Sequence, residues 1–128
     1  MGEGRDATIF ACGIMLDIAL NAADELNKEG ISAEVIDLHT IKPIDGVLIQ
    51  KSAKKTGAVV TAEEHSIIGG LGGAVAEILS ENCPVPMQRV GIKDTFGESG
   101  KPQDLLVKYG LTSADIAKAA KAVIARKK

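Results

Sequence analysis

The chain has 128 residues, enough for one domain with its own core and too few for several. Apolar residues make up 45% of it, which excludes a disordered chain. Aromatic residues make up 2% and the net charge is −2, which speaks against nucleic-acid binding by base stacking or by a basic phosphate-tracking surface.

No apolar run approaches the roughly 18 residues of a membrane span. The segment Met1-Gly2-Glu3-Gly4-Arg5-Asp6 is polar and lacks the apolar core of a signal peptide. Residues 1–6 are expected to be flexible and 7–128 to form a single domain. Cys12 and Cys83 stand far apart and neither belongs to a Cys-x-x-Cys pair, so both read as reduced thiols of a cytoplasmic protein.

Residues 7–12 form a short apolar run, the pattern of a buried strand. Gly13 turns the chain into a helix whose apolar positions Met15, Ile18, Ala19, Ala22 and Leu26 recur three and four apart. Asp17 sits near its positive end, and Gly30 follows as its C-terminal cap. Residues 33–38 read as a second strand, interrupted before Pro43 because the residue preceding a proline disfavours helix. Asp45 can cap a helix through Val47, Leu48, Ile49 and Ala53, which Gly57 ends.

Residues 58–61 read as a third strand. Ala74, Val75, Ile78 and Leu79 then share a helix face, and Pro84 and Pro86 lead into a fourth strand over 87–92. A short helix is expected over 104–109, before Gly110. The last helix begins at Thr112 or Ser113, where Thr112 and Asp115 match a weak capping box, and its buried stripe is Ile116, Ala119, Ala120, Val123 and Ile124. Strands alternating with helices predict a mainly parallel sheet covered on both faces.

The chemistry-bearing stretch runs Glu63-Glu64-His65-Ser66-Ile67-Ile68-Gly69-Gly70-Leu71-Gly72-Gly73. It is read as a loop at the carboxyl end of the third strand, where open α/β sheets meet ligands and partners. As a dinucleotide fingerprint the glycine turn is poor: Gly70 and Gly72 have the first spacing, but Val75 stands where a third small residue belongs. Either the glycines let a helix start close against the sheet or a neighbouring subunit, or the helix start receives an anion. Glu63, Glu64 and His65 are the best acid/base candidates, and His39, after the second strand, would face the same sheet edge. The competing reading is that they are exposed loop residues contacting a partner. No His-x3-His or other metal spacing and no Gly-x-Ser-x-Gly nucleophile elbow occurs, so no catalytic or metal-binding residue is assigned. Gly97-Glu98-Ser99-Gly100-Lys101 fails the phosphate-loop spacing and reads as a surface turn.

Three motifs in order carry a family resemblance: Asp37-Leu38-His39-Thr40-Ile41-Lys42-Pro43-Ile44-Asp45, then Glu63-Glu64-His65 with Gly69-Gly70-Leu71-Gly72, then Gly91-Ile92-Lys93-Asp94-Thr95-Phe96-Gly97-Glu98-Ser99-Gly100. They resemble the C-terminal domain of transketolase, and the match runs from about Asp6 to Val123. Deoxyxylulose-phosphate synthase and the β subunits of 2-oxoacid dehydrogenases share that domain; the Phe-Gly-Glu-Ser-Gly segment favours the transketolase branch. The resemblance implies a three-layer α/β/α sandwich around a five-stranded mixed sheet, mainly parallel with one antiparallel edge strand. It further implies that thiamine diphosphate and Mg are bound by other domains of the complete enzyme, whose Gly-Asp-Gly metal motif this chain lacks. No cofactor is expected on this domain alone. The implied partners are other transketolase domains or subunits, in a homodimer or hetero-oligomer. The implied role is non-catalytic, in assembly and dimerisation of an enzyme that moves a two-carbon ketol unit between sugar phosphates. A regulatory module binding a small molecule or anion at the 63–73 loop is the alternative.

Overall fold

The computed structural model describes residues 5–12, 15–38, 46–66, 71–82, 84–92 and 112–127; at 64–66, 71–72, 82 and 91–92 it describes the backbone. Strands β1 (Ala7–Ala11), β2 (Ala33–Asp37), β3 (Val59–Ser66) and β4 (Met87–Ile92) alternate with helices α1 (Met15–Lys28), α2 (Gly46–Thr56) and α3 (Leu71–Asn82), and α4 (Ser113–Ala125) follows β4. The strand order is β2-β1-β3-β4 and every pairing is parallel. These are the strands seen among the described residues. The fifth, antiparallel strand implied by the resemblance is not among them, and the expected helix over 104–109, the cap at Asp45 and Cys83 lie outside the described residues.

The central strands β1 and β3 are buried on both faces because they are mostly apolar on both. Along β1, Ile9 faces one cluster and Phe10 the other, the two-residue period of a strand. On one face Ile9, Ala11, Val60 and Ala62 pack against Met15, Ala19, Ala22 and Leu26 of α1 and Ile116, Ala120 and Val123 of α4. On the other, Phe10, Leu38 and Val59 pack against Ile49 and Ala53 of α2 and Val75 and Leu79 of α3. This is the expected three-layer sandwich. Alanine supplies much of the helix surface, so the helices lie close to the strands without aromatic filling.

The helix ends follow the local signals. In α4 the Thr112 side chain accepts from the Asp115 backbone N–H at 3.3 Å, while Asp115 Oδ2 accepts from the Thr112 N–H at 3.0 Å. The weak capping box of the sequence is therefore a complete one. At the end of α1, Gly30 takes φ +80°, its N–H donates to Asn27 O at 3.0 Å, and Ile31 N–H donates to Leu26 O at 2.9 Å. This pair of bonds is a Schellman termination, which the left-handed glycine permits. Of the N-terminal segment expected to be flexible, Arg5 and Asp6 are held: both backbone N–H groups donate to Ser32 O, at 3.2 and 2.8 Å, and Asp6 Oδ2 accepts from Ser32 N–H at 2.7 Å.

Candidate functional site

Parallel strands place all their carboxyl ends at one edge of the sheet. β3 reaches farthest there. Its last pairing with β1 is Ala62 to Ala11, so Glu63 through Ser66 project past β1. Beyond that point β3 pairs with β4, and the register shifts: Ala62 lies opposite Val90 and Ser66 opposite Ile92. Four steps along β3 match two along β4, so the strand bulges there. Bulges re-aim side chains and recur beside functional sites. This bulge holds Glu63, Glu64 and His65.

That placement corrects the reading of these residues as a loop. They belong to strand β3, and Glu63 is not an exposed loop residue: its side chain is 1% accessible. A carboxylate that deep must be paired or hydrogen-bonded to be tolerated. Glu-Glu-His breaks the apolar run that marks the strand in the sequence, yet the ladder to β4 continues past it to Ser66.

Gly72 and Gly73 lie in the first turn of α3, where the sequence placed a helix start, and α3 packs on β3 and on α2. Beside Gly73 the surface is open: a Cβ there would meet nothing within 4 Å. The helix start therefore does not need Gly73 for close packing against the described residues of this chain. Close by on the same edge, α2 opens with Gly46 and with Val47, whose side chain is 78% exposed. The candidates His39, Gly69 and Gly70 lie outside the described residues.

Among the described residues no three His, Cys, Asp or Glu side chains gather as a cation site. Phe10 is fully buried in the core. Cys12, just past the end of β1, is half-buried. Nor is any helix among the described residues long and apolar enough to cross a membrane.

A polar cluster that sequence reading missed lies at the opposite, amino-terminal edge. Thr8 Oγ1 donates to Glu34 Oε1 at 2.9 Å and sits 2.9 Å from Thr56 Oγ1, and Lys55 Nζ donates to Glu34 Oε2 at 2.6 Å. Thr8, Glu34, Ser52 and Thr56 are all buried. The cluster ties the last turn of α2 to β1 and β2, so its role is structural. Its signal in the sequence was an acid inside the apolar run of β2. We expect Glu34→Ala to cost about 1–2 kcal/mol, since it strips a buried hydroxyl and a half-exposed ammonium of their acceptor. Glu29→Ala removes an exposed ion pair with Lys121 and should cost less than about 0.5 kcal/mol. Urea midpoints of both variants check this; equal losses would show that the buried cluster adds nothing.

The family model for "Transketolase, C-terminal domain" matches residues 1–116. A 6-deoxy-6-sulfo-D-fructose transketolase subunit from Clostridium sp. (strain MSTE9) is 57% identical over 125 residues, covering 98% of this chain and 39% of that protein. A 1-deoxy-D-xylulose-5-phosphate synthase from Heliobacterium modesticaldum is 42% identical over 120 residues, covering 93% of this chain and 18% of that protein. Among solved structures, a split-gene transketolase described as an inactive β4 tetramer superposes with a TM-score of 0.94 at 56% identity, covering 98% of this chain and 41% of that one. This chain thus spans about two fifths or less of the relatives it matches. The fold, the family match and the relatives agree, and the chain belongs to the transketolase C-terminal domain family.

Proposed function

We propose that this chain is the C-terminal portion of a transketolase, acting in assembly of the enzyme and not in its chemistry. The complete enzyme would move a two-carbon ketol unit between sugar phosphates. Thiamine diphosphate and Mg would be held by its other domains, and the cofactor would supply the carbanion chemistry. The observation that carries the proposal is near-full coverage of this chain by a transketolase subunit 57% identical to it, of which it spans only 39%. The lower identity to the synthase, 42%, favours the transketolase branch over deoxyxylulose-phosphate synthesis.

The surface proposed for assembly is the carboxyl edge: the projecting end of β3, the open first turn of α3 and exposed Val47. The partners would be transketolase chains bearing the cofactor-binding domains, in a homodimer or hetero-oligomer. The relative described as an inactive β4 tetramer supports self-association of chains of this kind. The setting proposed is cytoplasmic carbohydrate metabolism of the pentose phosphate type.

The test is reconstitution. The purified 128-residue chain should give no ketol transfer from xylulose 5-phosphate to ribose 5-phosphate, with thiamine diphosphate and magnesium present. Added to a partner carrying the cofactor-binding domains, it should restore transfer. Turnover by the chain alone, or a partner fully active without it, refutes the proposed role.

A further inference from the structure

At the amino-terminal edge of the sheet, remote from the surface proposed for assembly, a groove of about 560 Å³ is lined by Gly57, Pro84, Val85, Pro86, Arg126 and Lys127. The segments that build it are the entries to β3 and β4 and the exit of α4. They are fixed to one another. Val59 N–H donates to Pro86 O at 3.0 Å, and Arg126 Nη1 donates to Met87 O at 3.4 Å, across the groove from its own helix. Gly57 takes φ +74°, and the Lys127 stem lies across it, with Cε 3.6 Å from where a Cβ would stand.

Cations near the last turn of a helix ordinarily answer its carbonyls. These two do otherwise. The Arg126 guanidinium reaches the first residue of β4, and the Lys127 stem reaches Gly57, two residues before β3, so both side chains leave α4 and frame the groove. Among the described residues neither cation has a carboxylate in ion-pair reach, and the lining holds no acid. Two cationic side chains thus border one groove on a chain whose net charge is −2. Between them the wall is apolar, and its prolines lack the backbone N–H that would otherwise share in anion recognition. The volume falls in the range of small-molecule clefts, which pair apolar walls with a few polar groups that fix orientation.

We propose that this groove binds a small organic phosphate monoester. The dianionic head sits between the Arg126 fork and the Lys127 ammonium, and the carbon skeleton lies on Pro84, Val85 and Pro86. A guanidinium and an ammonium together match a doubly charged, many-oxygened head better than a single carboxylate.

The experiment uses the full chain, isotope-labelled, with inorganic phosphate, phenyl phosphate and phenol as probes, followed through backbone amide shifts. Phenyl phosphate should shift the Gly57, Val85 and Lys127 amides saturably, and inorganic phosphate the same amides with about tenfold weaker affinity. Phenol should shift none of them. The double variant Arg126→Ala, Lys127→Ala should weaken phenyl phosphate by about tenfold or more while keeping the parent's thermal transition. The proposal is overturned by shifts that do not saturate, by saturation at other amides only, or by unchanged affinity in the double variant. Ketol-transfer activity is read in none of these arms, so failure here leaves the assembly role untouched, and failure of that role leaves the groove untouched.

Discussion

Ile116→Ala should lower the free energy of unfolding by about 2–4 kcal/mol, whereas Lys118→Ala, two positions away, should change it by less than about 0.5 kcal/mol. Ile116 is fully buried and sits in the cluster where α4 meets α1 and the sheet. Its neighbours there include Met15, Ala19, Ala22 and Ala120. Alanine-lined surfaces on both sides cannot close over the space left by a lost isoleucine, so the cavity term adds to the lost transfer energy. Lys118 lies on the exposed side of the same helix. The measurement is denaturant unfolding with the slope monitored, since a changed slope would signal a changed denatured state. Equal effects of the two substitutions would mean that α4 presents a different face to the sheet. A loss of this size is a large share of the stability of a small domain, which totals about 5–15 kcal/mol.

The layers of the fold were legible in the sequence because its signals are local and periodic. The stripe over Ile116, Ala119, Ala120, Val123 and Ile124 follows from a 3.6-residue period, and Ala117 adds to its buried side. Gly30 and Gly57 were read as helix stops, and both take positive φ. The capping box at Thr112 needs only three residues of context. What the sequence hid depends on partners distant along the chain. Glu34 looks like a misplaced acid in an apolar strand until Thr8, 26 positions away, and Lys55, 21 positions away, are seen to hold it.

The reach of β3 was hidden for a related reason. Glu63, Glu64 and His65 have the composition of a loop, and β-propensity records mostly how well a residue packs in context. Here the pairing of Ser66 with Ile92 keeps the strand going past polar residues. Thr61 likewise gave no sign that its hydroxyl is buried without a hydrogen-bond partner among the described residues, at a cost of about 1–3 kcal/mol. Glu63 thus lies toward the carboxyl end of β3, where the sequence placed it, but its burial follows from packing that the local sequence does not reveal.

Gly73→Val should separate assembly from folding. In the isolated chain the substitution is expected to be neutral or to stabilise by up to about 0.5 kcal/mol. Glycine within a helix costs about 1 kcal/mol relative to alanine, and valine costs less. The space it needs is there, since a Cβ at Gly73 would meet nothing within 4 Å. In the assembled enzyme the proposed surface brings a partner against the first turn of α3, and the added methyls would hold it off. Loss of close packing there should weaken association by about tenfold or more, equivalent to at least about 1.4 kcal/mol. Gly73→Ala should do so by less, and both variants should melt no lower than the parent. Sedimentation of the reconstituted complex, beside thermal unfolding of the isolated chain, reads the two effects separately. A variant that unfolds early would show that the glycine serves the chain's own packing. One that folds normally and assembles with the parent's affinity would remove the first turn of α3 from the interface, and with it the proposal that this edge is where the enzyme comes together.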